Sequence, residues 1–303
     1  MAVIGVDLGG TKVSAALFSE EGKLLKKDYR LLDGASGSAV CVIVAEMIAA
    51  LRAQRPGLPV EAVGICVPGI VYSKHETVWA PNIPGWDNYP LKNDLQAILG
   101  DRSIRISIAS DRTCYILGEV WKGAAQGCTD AIYLAVGTGI GAGILLDGRI
   151  IHGANDIVGA TGWMALETPY RDAFIPVGCF EYYASGNGIG QQAKLRYGDA
   201  SKTSYDVFDH YEEDPVATQI LDKAIQLWGM GAANLVSLFN PQKVIFGGGV
   251  FGPAIRFIDR IYAEARKWGQ PIAMRDVQFC PSALKGDAAL LGAAYLSLWE
   301  TNR

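Results

Sequence analysis

Two glycine-rich segments have the residue types that bind phosphate groups. The first is Asp7-Leu8-Gly9-Gly10-Thr11-Lys12, which directly follows an apolar run over residues 2–6. Phosphate oxygens require several backbone N–H groups that converge on one point, and glycine lets the backbone approach closely enough. Thr11 adds a hydroxyl donor, and Asp7 can hold Mg²⁺ through water. Taken alone, the segment is also compatible with a plain hairpin turn capped by Asp7.

The second segment is Gly137-Thr138-Gly139-Ile140-Gly141-Ala142-Gly143, which lies between two apolar runs. A third run, Gly247-Gly248-Gly249, follows a short apolar strand pattern and precedes a helical one. A phosphate or a flat ring can lie against the backbone at such a helix start, although a tight turn is the simpler alternative. None of the three matches the Rossmann or Walker glycine patterns, so both of these nucleotide-binding classes are disfavoured.

Asp111 is the candidate general base. It follows an apolar strand pattern over residues 104–109 and begins a helical pattern. A helix N-cap would explain an aspartate there. A base at the carboxyl end of a strand explains it equally well. Phosphoryl transfer needs alignment, neutralised charge and one acceptor for the hydroxyl proton, and Asp111 can be that acceptor.

The order of the predicted elements shows a duplication. Three strand patterns joined by tight turns open the chain, helices and strands then alternate, and the same order begins again at residue 131. Such an order predicts an α/β protein with a mixed β-sheet in each half. A duplication of this kind predicts two glycine turns that face each other across a cleft that binds a nucleotide. The polar, acidic stretch 198–214 is expected to be a surface excursion without chemistry.

The composition excludes several classes of protein. Half of the 303 residues are apolar and 19% are charged, which excludes intrinsic disorder. The formal net charge is −4 and no basic block is present, so no nucleic-acid partner is expected. The apolar stretches are too short for a membrane span, and the N-terminal residues lack signal-peptide features, which together indicate a cytoplasmic protein. The six cysteines have no metal-ligand spacing and are expected to be reduced thiols.

Six segments together resemble the ROK family of sugar kinases and sugar-responsive repressors. In family order they are VDLGGTK at 6–12, PNIPGW at 81–86, GTGIGAGI at 137–144, GCFEYYASG at 178–186, NPQKVIFGGGV at 240–250 and GDAALLGAAYLSL at 286–298. The resemblance covers nearly the whole chain. It implies two actin-like (ribonuclease H-like) domains with mixed sheets, and a nucleotide and sugar cleft between them. The expected N-terminal domain holds residues 1–112 and the C-terminal helix 289–303, and the second domain holds 113–288.

The resemblance also implies roles for individual residues. Asp111 corresponds to the catalytic base, and Asp7 holds Mg²⁺ through water. The residues expected to bind ATP are Asp7, Gly9, Gly10, Thr11, Lys12, Gly137, Thr138, Gly139, Gly247 and Gly248. The residues expected at the sugar site are Gly69, Asn82, Ser110, Asp111, Trp163 and Glu181. The family default also implies a homodimer.

The sequence departs from the family pattern in the sugar pocket and the zinc segment. The usual G-E-x-G-H reads Gly159-Ala160-Thr161-Gly162-Trp163, so the carboxylate and the imidazole are both missing. The cysteine-rich zinc segment is reduced to Cys179, and no structural zinc is therefore expected. Ser110 replaces the asparagine that usually precedes the base. A pocket with Trp163 favours stacking and fewer hydroxyl contacts, which predicts a modified sugar, a cyclitol or another less hydroxylated acceptor. Trp163 could instead fill the space left by the zinc lobe.

These observations favour an ATP-dependent carbohydrate kinase that uses Mg²⁺. The alternative is a catalytically idle sugar- or nucleotide-binding relative, which the altered pocket favours and the retained Asp111 and glycine turns oppose. A sugar-responsive repressor is disfavoured because only six residues precede Asp7. Polyphosphate as the phosphoryl donor stays open.

Overall fold

A computed structural model of the chain describes residues 2–54 and 57–299. The described residues divide into two compact units. Unit 1 is drawn from the ranges Met1–Gln126, His152–Ile157 and Asp287–Arg303, and unit 2 from Gly127–Ile151 and Val158–Gly286. Residues 113–126 therefore group with unit 1. The expected division after residue 112 stays a prediction, and residues 300–303 of the expected C-terminal helix lie outside the described part of the chain.

Unit 1 is built on a five-stranded mixed sheet. Its elements are β1 (Ala2–Leu8), β2 (Lys12–Ser19), β3 (Leu24–Leu31), α1 (Ser38–Ala53), β4 (Val60–Val67), β5 (Ile70–Tyr72), β6 (Thr77–Trp79), α2 (Leu91–Leu99), β7 (Arg105–Ser110) and α3 (Asp111–Lys122). The strand order is β3-β2-β1-β4-β7, in which β1 pairs with β2 antiparallel and with β4 parallel. The central strands are buried on both faces, as their nearly continuous apolar sequences require.

Unit 2 repeats this plan. Its elements are β8 (Ala131–Val136), β9 (Ile140–Leu146), β10 (Arg149–Ile150), α4 (Cys179–Ala184), α5 (Gly186–Tyr197), α6 (Ser204–Asp209), α7 (Pro215–Phe239), β11 (Lys243–Gly247), α8 (Ile258–Trp268), α9 (Pro271–Asp276) and β12 (Gln278–Pro281). The order β10-β9-β8-β11-β12 has the same antiparallel and parallel pairings as the sheet of unit 1. The predicted duplication of a mixed sheet is confirmed.

The last described helix, α10 (Ala288–Trp299), packs onto the elements of unit 1. Glycine makes this contact possible on both sides. A Cβ at Gly5 or Gly64 would overlap a carbonyl oxygen of α10, and one at Gly292 would overlap the carbonyl oxygen of Cys114 on α3. Because backbone meets backbone at these points, α10 lies directly against the central strands and against the helix that begins at Asp111.

Several local predictions were wrong in detail. The start of α3 is capped by Ser110, whose side chain accepts from Thr113 N–H, so Asp111 is the first helical residue and not the N-cap. The helix expected near 180–195 is two helices that meet at Ser185. The hairpin of β5 and β6 and the short helix α9 were not predicted, because each is too short to show a period.

The stretch 198–214 also differs from its prediction. It contains α6, which begins with a capping box formed by Thr203 and Asp206. Val207, Phe208 and Tyr211 are buried in the core of unit 2. The stretch is therefore part of the packed structure: α6 buries Val207 and Phe208, and Tyr211, which follows the helix, is buried as well.

Candidate active site

The first glycine turn links β1 to β2 and presents an exposed tip. Gly9 N–H donates to the carbonyl of Lys12 at 2.9 Å, and Leu32 N–H donates to that of Thr11 at 2.8 Å. Gly10, Thr11 and Lys12 are exposed. Their backbone and hydroxyl groups are therefore accessible to a ligand, as phosphate binding requires.

The structure places Asn82 directly beside this turn. A Cβ at Gly10 would lie 2.9 Å from the Cβ of Asn82, so only glycine fits there without displacement. Buried Ile83 and Trp86 anchor the Asn82 segment, and Trp86 Nε1 donates to the carbonyl of Gly37 at 3.0 Å. Asn82 is thus left exposed, next to the predicted phosphate turn. At Gly69 a Cβ would overlap the carbonyl oxygen of Trp79, so packing on β6 already explains that glycine.

Two carboxylates lie at the carboxyl ends of the parallel strands in unit 1. Asp7 is near the end of β1, and Asp111 directly follows β7. Burial is the main cause that raises the pKa of each carboxyl group. Repulsion from Asp7 raises the pKa of Asp111 further, while Arg112 opposes the shift. Each carboxylate therefore has a greater tendency to take up a proton than an ordinary aspartate.

Cys66 joins this acidic centre, and sequence reasoning missed it. The register pairs Cys66 on β4 with Asp7 on β1, and with Ala109 on the other side. Its thiol contacts Asp7 and the thiol of Cys114, and the pKa of Cys66 is raised by the bond to Cys114, by burial and by both carboxylates. A buried neutral thiol is thus a hydrogen-bonding neighbour of Asp7. Only the strand register could have indicated this contact.

The second glycine turn, in unit 2, is bound to the start of α5. Gly137 N–H donates to the carbonyl of Gly139 at 2.9 Å. Gly186 N–H donates to the carbonyl of Gly137 at 2.8 Å, and Asn187 N–H to that of Thr138 at 3.3 Å. Thr138 is exposed at the tip. The predicted turn between β8 and β9 is present, and a helix terminus holds it in place.

Glu181 on α4 also reaches this turn. Its Oε2 accepts from Ile140 N–H at 2.7 Å. An ideal Cβ at Gly139 would lie 2.6 Å from Glu181 Oε2, and one at Gly162 would lie 2.8 Å from it, so glycine at both positions leaves room for the carboxylate. Burial raises the pKa of Glu181, and the Ile140 hydrogen bond opposes that shift. The structure thus groups Glu181 with Gly139, and with the segment that replaces the family's G-E-x-G-H.

Trp163 ends a short 3₁₀ helix, Thr161–Trp163, and its side chain is 57% exposed. It therefore does not fill an interior space, and its ring is accessible for stacking. Cys179 is buried in the hydrophobic core of unit 2. The part of the chain that the structure describes contains no group of three or more His, Cys, Asp or Glu that could hold a metal ion.

The third glycine run has packing reasons of its own. Gly247 is buried, and a Cβ there would overlap the ring of buried Tyr133. Gly248 is exposed, has φ of +89° and lies against the backbone of Val136. These contacts explain glycine at both positions. That Gly247 and Gly248 approach the adenosine of ATP stays a prediction.

Comparison with known proteins decides the family. The family model described as "ROK family" matches residues 3–300. The chain belongs to the ROK family. It is 28% identical to the N-acetyl-D-glucosamine kinase of Pectobacterium carotovorum, over 98% of this chain and 99% of that protein.

Solved structures agree with this assignment. A ROK hexokinase from Thermus thermophilus matches with a TM-score of 0.88 and 29% identity, over 100% of this chain and 99% of that one. A ROK family glucokinase from Streptomyces griseus, solved with glucose and AMPPNP, matches with a TM-score of 0.77 and 30% identity, over 99% and 100%. The predictions of family, fold class and enzyme class are confirmed by these matches. Within residues 2–54 and 57–299, no helix is long and apolar enough to cross a membrane.

Proposed function

We propose that this protein transfers the γ-phosphoryl group of ATP to a hydroxyl group of a sugar or sugar-like acceptor. The observation that carries the proposal is the position of Asp111. It directly follows β7, is half-buried and lies near Asp7. A carboxylate whose pKa is raised by burial is a stronger base than one in water, as removal of a hydroxyl proton requires.

Asp111 accepts the proton of the attacking hydroxyl group, and Ser110 and Asn82 orient the acceptor. The exposed N–H and hydroxyl groups at Gly10 and Thr11 bind phosphate oxygens, with Lys12 as a nearby positive charge. In unit 2, the turn 137–139 supplies further backbone donors. Such a transfer depends mainly on alignment and charge stabilisation, which main-chain donors and one base can provide.

The residues present fit Mg²⁺. This hard cation prefers oxygen ligands and retains several waters, so a single carboxylate such as Asp7 can hold it through water. Asp7 and Asp111 repel each other, and a divalent cation would offset that repulsion. When bound, Mg²⁺ would neutralise charge on the phosphates of ATP.

The residues at positions 160 and 163 support an unusual substrate. Ala160 and Trp163 replace the family's glutamate and histidine, and the exposed Trp163 ring offers a flat apolar surface. A ring of this kind stacks on the apolar face of a sugar and donates few hydrogen bonds. We therefore expect a modified sugar, an anhydrosugar or a cyclitol to be preferred over glucose.

The test is ADP release with Mg·ATP against a panel of hexoses, amino sugars, anhydrosugars and cyclitols. A second arm replaces ATP with polyphosphate, and Asp111→Asn is the control for chemistry. Turnover that one acceptor triggers and that Asp111→Asn abolishes supports the kinase and identifies its substrate class. No turnover with any acceptor, while AMPPNP still binds, would favour the idle binding protein. If glucose exceeds every other acceptor, the unusual-substrate proposal is wrong.

A further inference from the structure

The second glycine turn is held by the junction between α4 and α5. Gly186 and Asn187, at the start of α5, donate backbone N–H groups to the carbonyls of Gly137 and Thr138. Ser185 caps α5 by accepting from Gly188 N–H at 2.9 Å and is fully buried. The carbonyl side of the turn is therefore fixed entirely by backbone donors.

One backbone N–H of the same turn depends on a side chain. Ile140 N–H, at the exit from the turn, donates to Glu181 Oε2 at 2.7 Å. Because an ideal Cβ at Gly139 or Gly162 would lie less than 3 Å from that oxygen, the carboxylate is confined between the turn and the 161–163 segment. A charged acceptor in this confined position makes a stronger hydrogen bond than a neutral one.

The start of α4 is fixed against the same segment. Gly178 has φ of +82°, and a Cβ there would lie 2.6 Å from the Cα of Trp163 and would also overlap the carbonyl oxygen of Gly162. The backbone of α4 thus has little freedom to shift relative to Trp163. Glu181 lies one turn further along α4, and its position relative to Gly139 is therefore fixed.

The other carboxylate oxygen has a different environment. Glu181 Oε1 has no hydrogen-bond partner among the described residues, and the side chain is only partly buried. One oxygen is thus committed to the turn and the other is available to a ligand hydroxyl group.

We propose that Glu181 is a positioning residue for the second phosphate turn: its Oε2 holds Ile140 N–H and sets the shape of residues 137–139 before any acceptor binds. This inference rests on the proposed function, since it gives that turn the role of binding nucleotide phosphate. It adds that Glu181, which the family resemblance implies as a sugar contact, also affects nucleotide binding by holding the turn 137–139. Loss of the carboxylate therefore weakens nucleotide binding even when no sugar is present.

The experiment compares Glu181→Ala, Glu181→Asp and Glu181→Gln with the wild type, all without acceptor. The first readout is amide hydrogen exchange of Ile140, and the second is the Kd of AMPPNP with Mg²⁺. Glu213→Ala is the matched control, because Glu213 is an exposed glutamate of the same unit, far from the turn in sequence. Thermal unfolding shows whether each variant is folded.

Glu181→Ala should accelerate Ile140 exchange and raise the Kd of AMPPNP about 10-fold, the scale of one lost hydrogen bond to a charged group. Glu181→Asp, whose side chain is shorter by one methylene, should change both readouts in the same direction. It replaces Glu181→Ala in the comparison if the alanine variant does not fold. Glu181→Gln keeps an oxygen acceptor, so it should remain within about threefold of wild type. Glu213→Ala should change neither readout.

The proposal is overturned if Glu181→Ala and Glu181→Asp leave Ile140 exchange and AMPPNP affinity unchanged and raise only the KM for the acceptor. Glu181 would then contact only the sugar. It is also overturned if Glu181→Gln loses as much as Glu181→Ala. Hydrogen exchange is measured without turnover, so the two proposals can fail separately. If the protein phosphorylates no acceptor but Glu181→Ala accelerates Ile140 exchange, the proposed kinase activity is wrong and the positioning role of Glu181 stands.

Discussion

The two units share one sheet plan but differ in what they place at the carboxyl ends of the strands. Unit 1 has the strand order β3-β2-β1-β4-β7, with Asp7 near the end of β1 and Asp111 directly after β7. Unit 2 has the equivalent order β10-β9-β8-β11-β12, and its turn is bound to the start of α5 and to Glu181. Two half-buried carboxylates characterise the strand ends of unit 1, whereas backbone hydrogen bonds and the Glu181 carboxylate hold the turn of unit 2.

This difference shows how a duplicated scaffold can separate two tasks. A carboxylate that must accept a proton benefits from a raised pKa, and in unit 1 burial and the charge of Asp7 both raise the pKa of Asp111. A turn that must keep one shape needs its own polar groups satisfied, and unit 2 provides that. We therefore expect substitution of the Asp111 carboxylate in unit 1 to act on the chemical step, and substitutions around the turn of unit 2 to act on nucleotide binding.

The largest expected effect is on catalysis from unit 1. Asp111→Asn removes the base but keeps the oxygen that accepts from Arg112 N–H. We expect kcat to fall by about 10²- to 10⁴-fold, the usual contribution of a general base. Steady-state kinetics with the acceptor found in the panel measures it. AMPPNP affinity should be nearly unchanged, and a kcat within a few-fold of wild type would contradict the assignment of Asp111.

The next effect is on the stability of unit 1. Gly292→Ala places a methyl group onto the carbonyl of Cys114, and we expect the free energy of unfolding to fall by about 3 kcal/mol. Gly249→Ala in unit 2 is the control, because its Cβ would meet nothing within 4 Å. Urea denaturation of both variants gives the comparison. Equal losses would mean that α10 can shift to accommodate the methyl group.

A smaller effect separates the two helix caps. Ser185 accepts from Gly188 N–H at 2.9 Å and is fully buried, whereas Ser110 accepts from Thr113 N–H at 3.4 Å. Ser185→Ala should lower the free energy of unfolding by about 1 kcal/mol, and Ser110→Ala by less. The reverse order, measured by urea denaturation, would show that the cap in unit 1 is the stronger one.

The smallest expected effect is a dependence of stability on pH. The folded protein binds the Asp111 proton more tightly than the unfolded chain, whose aspartates have a pKa near 3.8. Between 3.8 and the raised pKa of Asp111, stability therefore falls as pH rises. Asp111→Asn lacks this ionisation and should be more stable than wild type at pH 7, without nucleotide or divalent cation.

The difference between Asp111→Asn and wild type should shrink as the pH approaches 3.8. Thermal unfolding across this pH range, with Glu213→Gln as the control, measures it. A variant less stable than wild type at pH 7 would show that the charged carboxylate stabilises unit 1, against the direction that its burial predicts.

Local patterns in the sequence were sufficient to predict most of the scaffold. Apolar runs and glycine turns identified the strands around Asp7 and Gly137, and six motifs identified the family. The predictions failed where two neighbouring residues had to be distinguished, or where two residues distant in sequence are in contact. Whether Ser110 or Asp111 caps α3 depends on one backbone angle, which no periodicity encodes.

The site was predicted as a set of residues, but not as a set of contacts. Cys66 meets Asp7 only because β4 pairs with β1 in one register, 59 positions apart along the chain. Glu181 finds Ile140 N–H across 41 residues, although its motif indicated only a sugar contact. Polar groups removed from water are hydrogen-bonded, and the fold decides which partner is within reach.

The glycine contacts of α10 have a consequence for the order of folding during synthesis. Gly5 and Gly64 are buried by residues 288–299, so unit 1 cannot complete its core until that helix has left the ribosome. All residues of unit 2 emerge earlier, and its core is available first. The usual sequence, in which the N-terminal part folds first, is therefore reversed, and the half that carries Asp7 and Asp111 is the last to close.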